Sequence, residues 1–347
     1  MYGCMEISRA ACIGGLILGL NINWSYNDYR MMHAAKNSLT KTLVLSIFLV
    51  LLLVTSCNTG TAADNGTVSF AFTVTADMRN YTDDNKNYFR GACETIALKE
   101  PGAFMISPGD IDPPSYAYST IQKYIGADYP WYPVVGNHEA ETAEYMAWLR
   151  TFNKGGNTLP HITNTGPPAS IETTYSFDYK NAHFIILNEY FDGVSDTGTD
   201  GDVTDSLYSW LSGDLSQFSS LPDTEKPLIF VFGHEPAYPQ ADEDTGRMRH
   251  EYDSLNEHEA NRDRFWKLLS DYGVKAYICG HTHNYSIYLK DSVYQIDAGH
   301  ARGTADIGSP STFLIFYVMQ DKSVICKTFR LNSGTGNYEL KETIELK

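Results

Sequence analysis

A layered α/β fold is the expectation for this 347-residue chain, and three observations carry it. Short apolar runs alternate with longer amphipathic stretches, the pattern of strands interleaved with helices. Four of the runs pass directly into glycine and then polar residues: Gly109-Asp110, Gly136-Asn137-His138-Glu139, Gly233-His234-Glu235 and Gly280-His281-Thr282-His283. Beyond Ser286 the sequence reads as strand alone.

Val68 to Thr75 alternates and is rich in β-branched and aromatic residues, which predicts a strand, and Tyr88 to Lys99 has helical character. Ala103 to Ser107 and Trp131 to Val135 read as short buried strands, with a helix over Ser115 to Ile125 between them. Glu141 to Phe152 places Tyr145, Trp148, Leu149 and Phe152 at helical spacing. Residues 153–170 are rich in Gly, Pro, Asn and Thr and predict a loop.

Thr173 to Asp178 and His183 to Asn188 read as paired strands around a Tyr179-Lys180-Asn181 turn. A helix over Val203 to Phe218 carries Leu207, Trp210, Leu211 and Leu215 on one face. Leu228 to Phe232 is wholly apolar, as in a strand covered on both faces. A helix over Asn261 to Tyr272 and a strand over Val274 to Cys279 follow, and hairpins near Asp291 and Asp321-Lys322 organise the tail.

The N-terminus reads as targeting sequence. Leu43 to Val54 is a nearly unbroken apolar run preceded by Lys36 and Lys41. It falls short of the ~20 residues that span a bilayer but suits a signal-peptide core. The following Val54-Thr55-Ser56-Cys57 resembles a bacterial lipobox, in which Cys57 is acylated and becomes the first mature residue. The expected organisation is therefore an N-terminal extension and signal peptide over 1–56, a linker over 57–66 and one domain over 67–347. The expected location is the bacterial cell envelope or its extracellular face, held to the membrane by lipid on Cys57. Met31 or Met32 would make a more usual start than Met1.

Charge narrows the partners. The net charge of −16 argues against a nucleic-acid-binding surface, because phosphate backbones demand basic faces. Removing residues 1–56 takes four basic and two acidic side chains from totals of 26 and 42, leaving 22 against 40. Beyond Cys57 the cysteines are Cys93, Cys279 and Cys326, too few and too scattered for a disulfide framework or a zinc knuckle.

The polar blocks carry the chemistry. Asp77, Asp110, Asn137, His234 and His281 each lie within a few residues of an expected strand end. In layered α/β folds ligands gather beyond the carboxyl ends of strands, so this spacing predicts one shared site. Carboxylate, amide and imidazole donors suit hard or borderline divalent metals such as zinc, manganese or iron. For His161, His183, His250 and His258 the default is a polar residue in a surface loop, while His300 sits where it could approach the site.

This set of blocks resembles the calcineurin-like metallophosphoesterase superfamily, over roughly Val68 to Gly303. Gly136-Asn137-His138-Glu139 together with Gly280-His281-Thr282-His283 is the specific part of the likeness. The resemblance implies a two-sheet β-sandwich flanked by helices. It also implies two divalent ions, with Asp77 and His283 on the first, Asn137, His234 and His281 on the second, and Asp110 bridging. The reaction implied is hydrolysis of a small phosphoester by in-line attack of metal-bound hydroxide, with His138 protonating the leaving oxygen or steadying charge.

Two departures qualify what the resemblance implies. The first block is Asp77-Met78-Arg79, with Arg where the family has a His ligand, and guanidinium cannot coordinate metal. Gly109-Asp110-Ile111-Asp112-Pro113 lacks the Tyr of purple acid phosphatases. Asp112 or a residue of the Asn80 to Asn85 loop fills the gap, or the first metal is exchangeable, or Arg79 turns outward or toward the substrate phosphate. A second functional reading follows: a binding protein on the same fold whose turnover is weakened or lost. Monoester and diester substrates are not distinguished.

Overall fold

The computed structural model describes residues 66–79, 88–198, 200–302, 306 and 308–347. The expectations for the signal segment, for Cys57 and for the Asn80 to Asn85 loop lie outside these residues.

Two mixed sheets stack face to face. In the first, β1 (Val68–Val74) lies between β11 (Thr312–Met319), antiparallel, and β2 (Met105–Ser107), parallel. β3 (Trp131–Pro133) extends the parallel side, and β12 (Val324–Asn332) and β13 (Asn337–Leu346) the antiparallel side. In the second, β6 (Ala182–Ile186), β7 (Leu228–Phe232), β8 (Ala276–Cys279) and β10 (Val293–Ala298) run parallel. β4 (Ile162–Thr165) and β5 (Tyr175–Tyr179) flank them on one side and β9 (Tyr285–Lys290) on the other.

Alternation along the strands explains the layering. Phe70, Phe72 and Val74 of β1 point inward, where they meet Phe184, Phe230 and Phe232 of the opposite sheet. Phe72 stacks on Phe316 at 4.7 Å between centroids, and Tyr132 on Phe177 at 3.8 Å. The other faces are also covered. Helices α1 (Phe89–Lys99), α2 (Pro114–Tyr124) and α4 (Ala143–Phe152) bury Ile96, Ile121 and Leu149 against Ala71, Met105 and Ile315. Helices α5 (Asp205–Ser216) and α6 (Glu259–Asp271) bury Leu211 and Phe265 against Ile229, Val231 and Tyr277. The apolar run of β7 follows directly: both of its faces lie in a core.

Two expectations need correcting. Residues 153–170 are not simply a loop, since a 3-10 turn (Lys154–Gly156) and edge strand β4 lie there. β4 is half exposed, so it shows no apolar alternation that would have revealed it. The helix expected from Glu141 begins at Ala143, after a separate one-turn helix, α3 (Asn137–Ala140). The buried Glu139 carboxylate accepts the backbone N–H groups of Gly136 (2.9 Å) and Ile111 (3.0 Å), tying α3 to the loop after β2. The three cysteines at 93, 279 and 326 are free and buried.

An ion pair closes the antiparallel side. Arg330 of β12 donates from Nη2 to Asp242 Oδ2 at 2.7 Å and to Ser309 Oγ at 2.7 Å, and from Nη1 to Asp244 Oδ2 at 2.6 Å. Burial by itself would raise the Asp242 carboxyl, but hydrogen bonds from Arg330 and Ser309 outweigh it and hold it below the usual range. Breaking a buried pair costs about 3–5 kcal/mol, so Arg330→Met should lower unfolding stability by that order. A depressed aspartate contributes in full above its unfolded value, near pH ~4, and the contribution is lost as pH falls further. Urea unfolding at pH 7 and below pH 4 should therefore show a difference between wild type and Arg330→Met that shrinks in acid.

Candidate metal centre

Parallel strands of both sheets end at the same edge, and the polar blocks lie there. Asp77 follows β1, Asp110 follows β2, Asn137 and His138 begin α3 after β3, His234 follows β7, and His281 and His283 follow β8. Asp77, Asp110, His281 and His283 all adopt left-handed backbone, with φ of 51°, 50°, 70° and 59°. For residues with a Cβ this conformation costs of order 1–3 kcal/mol each, and such strain concentrates at functional sites. The glycines make room: a Cβ at Gly136 would overlap the Asp110 backbone and carboxylate, and one at Gly280 the Asp77 carboxylate.

All of the expected ligands converge. Asp77, Asp110 and His234 present ligand atoms within 4.8 Å of one another. His234 Nε2 lies 3.5 Å from Asp110 Oδ1, 3.3 Å from Asn137 Oδ1 and 3.2 Å from His281 Nδ1. His283 Nε2 lies 3.5 Å from Asp77 Oδ1. His138 stands at the edge, half-buried, with Nε2 3.8 Å from Asp110 Oδ2.

Outer hydrogen bonds set the tautomers. His234 Nδ1 faces the Pro108 carbonyl at 2.8 Å and so carries the proton, which leaves a lone pair on Nε2. His281 Nε2 faces the Asp253 carbonyl at 3.1 Å, leaving its lone pair on Nδ1. His283 Nδ1 donates to Asp306 Oδ2 at 2.8 Å, leaving its lone pair on Nε2, toward Asp77. Lone pairs of His234 and His281 thus face each other at 3.2 Å beside two oxygen acceptors. Acceptors repel unless a cation lies among them.

Electrostatics agree with this geometry. Burial, then the neighbouring Asp110, raises the Asp77 carboxyl well above its usual range, and burial raises Asp110. Burial lowers His234 to about 3 and also depresses His281 and His283, so these imidazoles stay neutral. Buried Asp77 Oδ1 accepts no hydrogen bond. Neutral imidazoles with carboxylates that resist ionisation are the donor set that a divalent ion satisfies.

Residues 70–285 match the Calcineurin-like phosphoesterase family. The chain belongs to this family. Over 198 residues it is 27% identical to an acid phosphatase of Aspergillus ficuum, a match covering 48% of this chain and 28% of that protein's length. Its fold is similar to that of purple acid phosphatase from yellow lupin (Lupinus luteus) seeds, with a TM-score of 0.52 at 13% identity over 79% of this chain and 53% of the other. It is likewise similar to GAP50, the anchor in the inner membrane complex of Plasmodium, with a TM-score of 0.51 at 17% identity over 80% of this chain and 88% of that one. The family is metal-dependent, and Asp77, Asp110 and His234 form a group that could hold a metal ion in this chain.

Arg79 turns inward. Its Nε lies 3.7 Å from Asp110 Oδ2 and 3.9 Å from Asp112 Oδ1, while His138 Nδ1 lies 3.9 Å from Asp112 Oδ2. Asp112 therefore faces Arg79 and His138.

Several contributors were not singled out from sequence. His250, read there as a default surface histidine, lies over His281 at 4.0 Å between ring centroids, a correction to that reading. Glu189, after β6, accepts the backbone N–H groups of His234 (2.8 Å) and Glu235 (2.7 Å) and so shapes the turn that presents His234. Burial raises Glu189 to about 7 and Glu235 to about 8. Asp306 fixes His283 across 23 residues of sequence, a pairing with no local signature. His300 is buried 5.7 Å from the His283 ring and bonded to the Ser309 carbonyl (2.9 Å), behind the ligands. His183 is buried in β6 between Asp178 (2.6 Å) and Asp214 (2.8 Å), a structural role in place of the surface-loop one expected. Of the aromatics near the second block, Tyr116 is exposed and lines a cleft with Tyr145 and Trp148, while Trp131 and Tyr132 are core.

A ligand that binds the folded chain alone stabilises it by about 2.7 kcal/mol at 100 times its Kd. Adding Mn2+ or Zn2+ to chelator-treated protein should accordingly raise the urea midpoint. The rise should be absent in Asp110→Asn.

Proposed function

We propose that this calcineurin-like phosphoesterase hydrolyses small phosphoric esters at a centre of two divalent ions, zinc, manganese or iron. The observation that carries the reading is the meeting of His281 Nδ1, Asn137 Oδ1 and Asp110 Oδ1 within 3.5 Å of His234 Nε2, with the His138 backbone N–H on Asp110 Oδ1 at 3.1 Å. Asp77 and His283 would hold the first ion, Asn137, His234 and His281 the second, and Asp110 would bridge. Bound there, the ions supply Lewis-acid polarisation of the phosphoryl group and a lowered pKa for water.

The chain's own residues do the rest. The P–O bond to the leaving group breaks as water oxygen bonds to phosphorus in line, and no covalent bond to the enzyme forms. His138, half-buried beside Asp110, hands a proton to the departing oxygen. The Arg79 guanidinium beside Asp110 places a fixed positive charge near the first ion, where it also takes a position from which a ligand is missing. The two ions consequently bind unequally, the first being the weaker.

With p-nitrophenyl phosphate and bis(p-nitrophenyl) phosphate as mono- and diester probes and Mn2+ present, wild-type protein should release nitrophenolate. Asn137→Ala and His281→Ala should reduce turnover at least 100-fold, and His138→Ala about 10²–10⁴-fold with metal content retained. Unchanged turnover in the first two variants would place the activity elsewhere. Metal titration should resolve a tight and a weak equivalent, with Arg79→His strengthening the weak one.

The alternative, a binding protein on this fold with little or no turnover, is favoured by one feature: Arg79 in place of a ligand. Absence of ester hydrolysis alongside intact metal binding would select it.

We also propose attachment to the bacterial cell envelope through lipid on Cys57, supported by the apolar run Leu43 to Val54 and the Val54-Thr55-Ser56-Cys57 block. Cys57→Ser should move the protein from the detergent phase to the aqueous phase in detergent partitioning.

A further inference from the structure

Arginine gathers around the centre in a chain of net charge −16. Two loops bring it there: Arg247 and Arg249 come from the segment after β7, and Arg302 from the turn after β10. All three address one carboxylate, Asp306. Arg247 takes it at hydrogen-bond length, Nη1 to Oδ1 at 2.6 Å, and is further committed to Asn284 Oδ1 (2.9 Å) and the His283 carbonyl (3.2 Å).

Arg249 and Arg302 are served less well. Their Nη1 atoms reach Asp306 Oδ2 only at 3.6 and 3.7 Å, beyond a hydrogen bond. Asp306 Oδ2 is already occupied by His283 Nδ1 at 2.8 Å. Asp306 is thus shared by three guanidinium groups, and a further carboxylate acting on Arg249 is Asp77 at the centre itself. Buried Arg302 Nε has no hydrogen-bond partner. Both side chains retain partial solvent access, 29% for Arg249 and 18% for Arg302.

Both also stand at the centre's margin. Arg302 Nη1 lies 3.4 Å from His283 Nδ1, and Arg249 Nη2 lies 3.0 Å from His250 Nε2, whose ring covers His281. The Arg302 charge helps to lower His138 after burial, and Arg249 helps to lower His283, so each field reaches the reacting region. Guanidinium groups suit planar, multidentate recognition of carboxylate and phosphate.

We propose that Arg249 and Arg302 form a second oxyanion subsite, which receives a carboxylate or phosphate carried by the substrate beside its scissile phosphate. The preferred substrates are then doubly anionic esters. This assignment rests on the reading above that the metal centre takes the scissile phosphate.

Two substrate pairs differ by one oxyanion: fructose 1,6-bisphosphate against fructose 6-phosphate, and 2-phosphoglycolate against ethyl phosphate. In Mn2+-loaded wild type, kcat/KM should favour the doubly anionic member of at least one pair about tenfold, as expected for one or two charge-assisted contacts. The first pair reports a phosphate preference and the second a carboxylate preference. In the double variant Arg249→Gln/Arg302→Gln the ratio should fall toward one. Because a ratio within one preparation is compared, partial metal loss does not alter it.

No preference in wild type, or a preference that survives the double substitution, overturns the subsite and assigns both arginines to neutralising Asp306. If none of the four esters is turned over, hydrolysis as proposed fails separately. Calorimetric titration of the same four compounds then decides the subsite: tighter binding of a doubly anionic member, lost in the variant, supports it, and equal binding overturns it.

Discussion

Opposed lone pairs are the constraint around which this molecule is arranged. His234 and His281 turn unprotonated nitrogens toward each other because their other nitrogens are committed to the Pro108 and Asp253 carbonyls. Asn137 and Asp110 add oxygen acceptors to the same space, and nearby Asp77 presents a buried oxygen without a donor. Burial keeps the imidazoles neutral and disfavours ionised carboxylates. A divalent ion held there would satisfy these acceptors.

The sandwich makes such a cluster affordable by fixing it from behind. Each ligand leaves the carboxyl end of a parallel strand, and those strands belong to two sheets locked together by an aromatic interlayer around Phe72. Left-handed backbone at Asp77, Asp110, His281 and His283 is tolerated because the strands before it are buried and fully paired. Glu139 and Glu189 then use backbone N–H groups to hold the turns at 136 and 234. Strain and buried charge at the edge are thus offset by regular packing in the layers.

Arg79 and the arginines around Asp306 give this family member its own electrostatic character. The first places permanent positive charge against Asp110, and the others share the Asp306 carboxylate beside His283. A chain of net charge −16 thus gathers arginine at the rim of its centre, so the local charge there does not follow from net charge.

What could be read from residue order alone was whatever has a local pattern. The strands and helices followed from periodicity, the strand-end positions of Asp77, Asp110, Asn137, His234 and His281 from the apolar runs before them, the last four with a preceding glycine, and the family from the same blocks, whose resemblance added His283. Edge strand β4 was not legible because it is half exposed and lacks alternation. Asp306, His250, Asp253, Arg249 and Arg302 were not legible because each acts on a residue far along the chain, through pairings with no fixed spacing. Nor could the direction of Arg79 be decided beforehand, since it depends on Asp110 and Asp112 arriving from β2. Periodicity and turn chemistry are properties of neighbours in sequence, whereas tautomer, protonation and charge balance belong to neighbours in space, and these the tertiary structure alone decided.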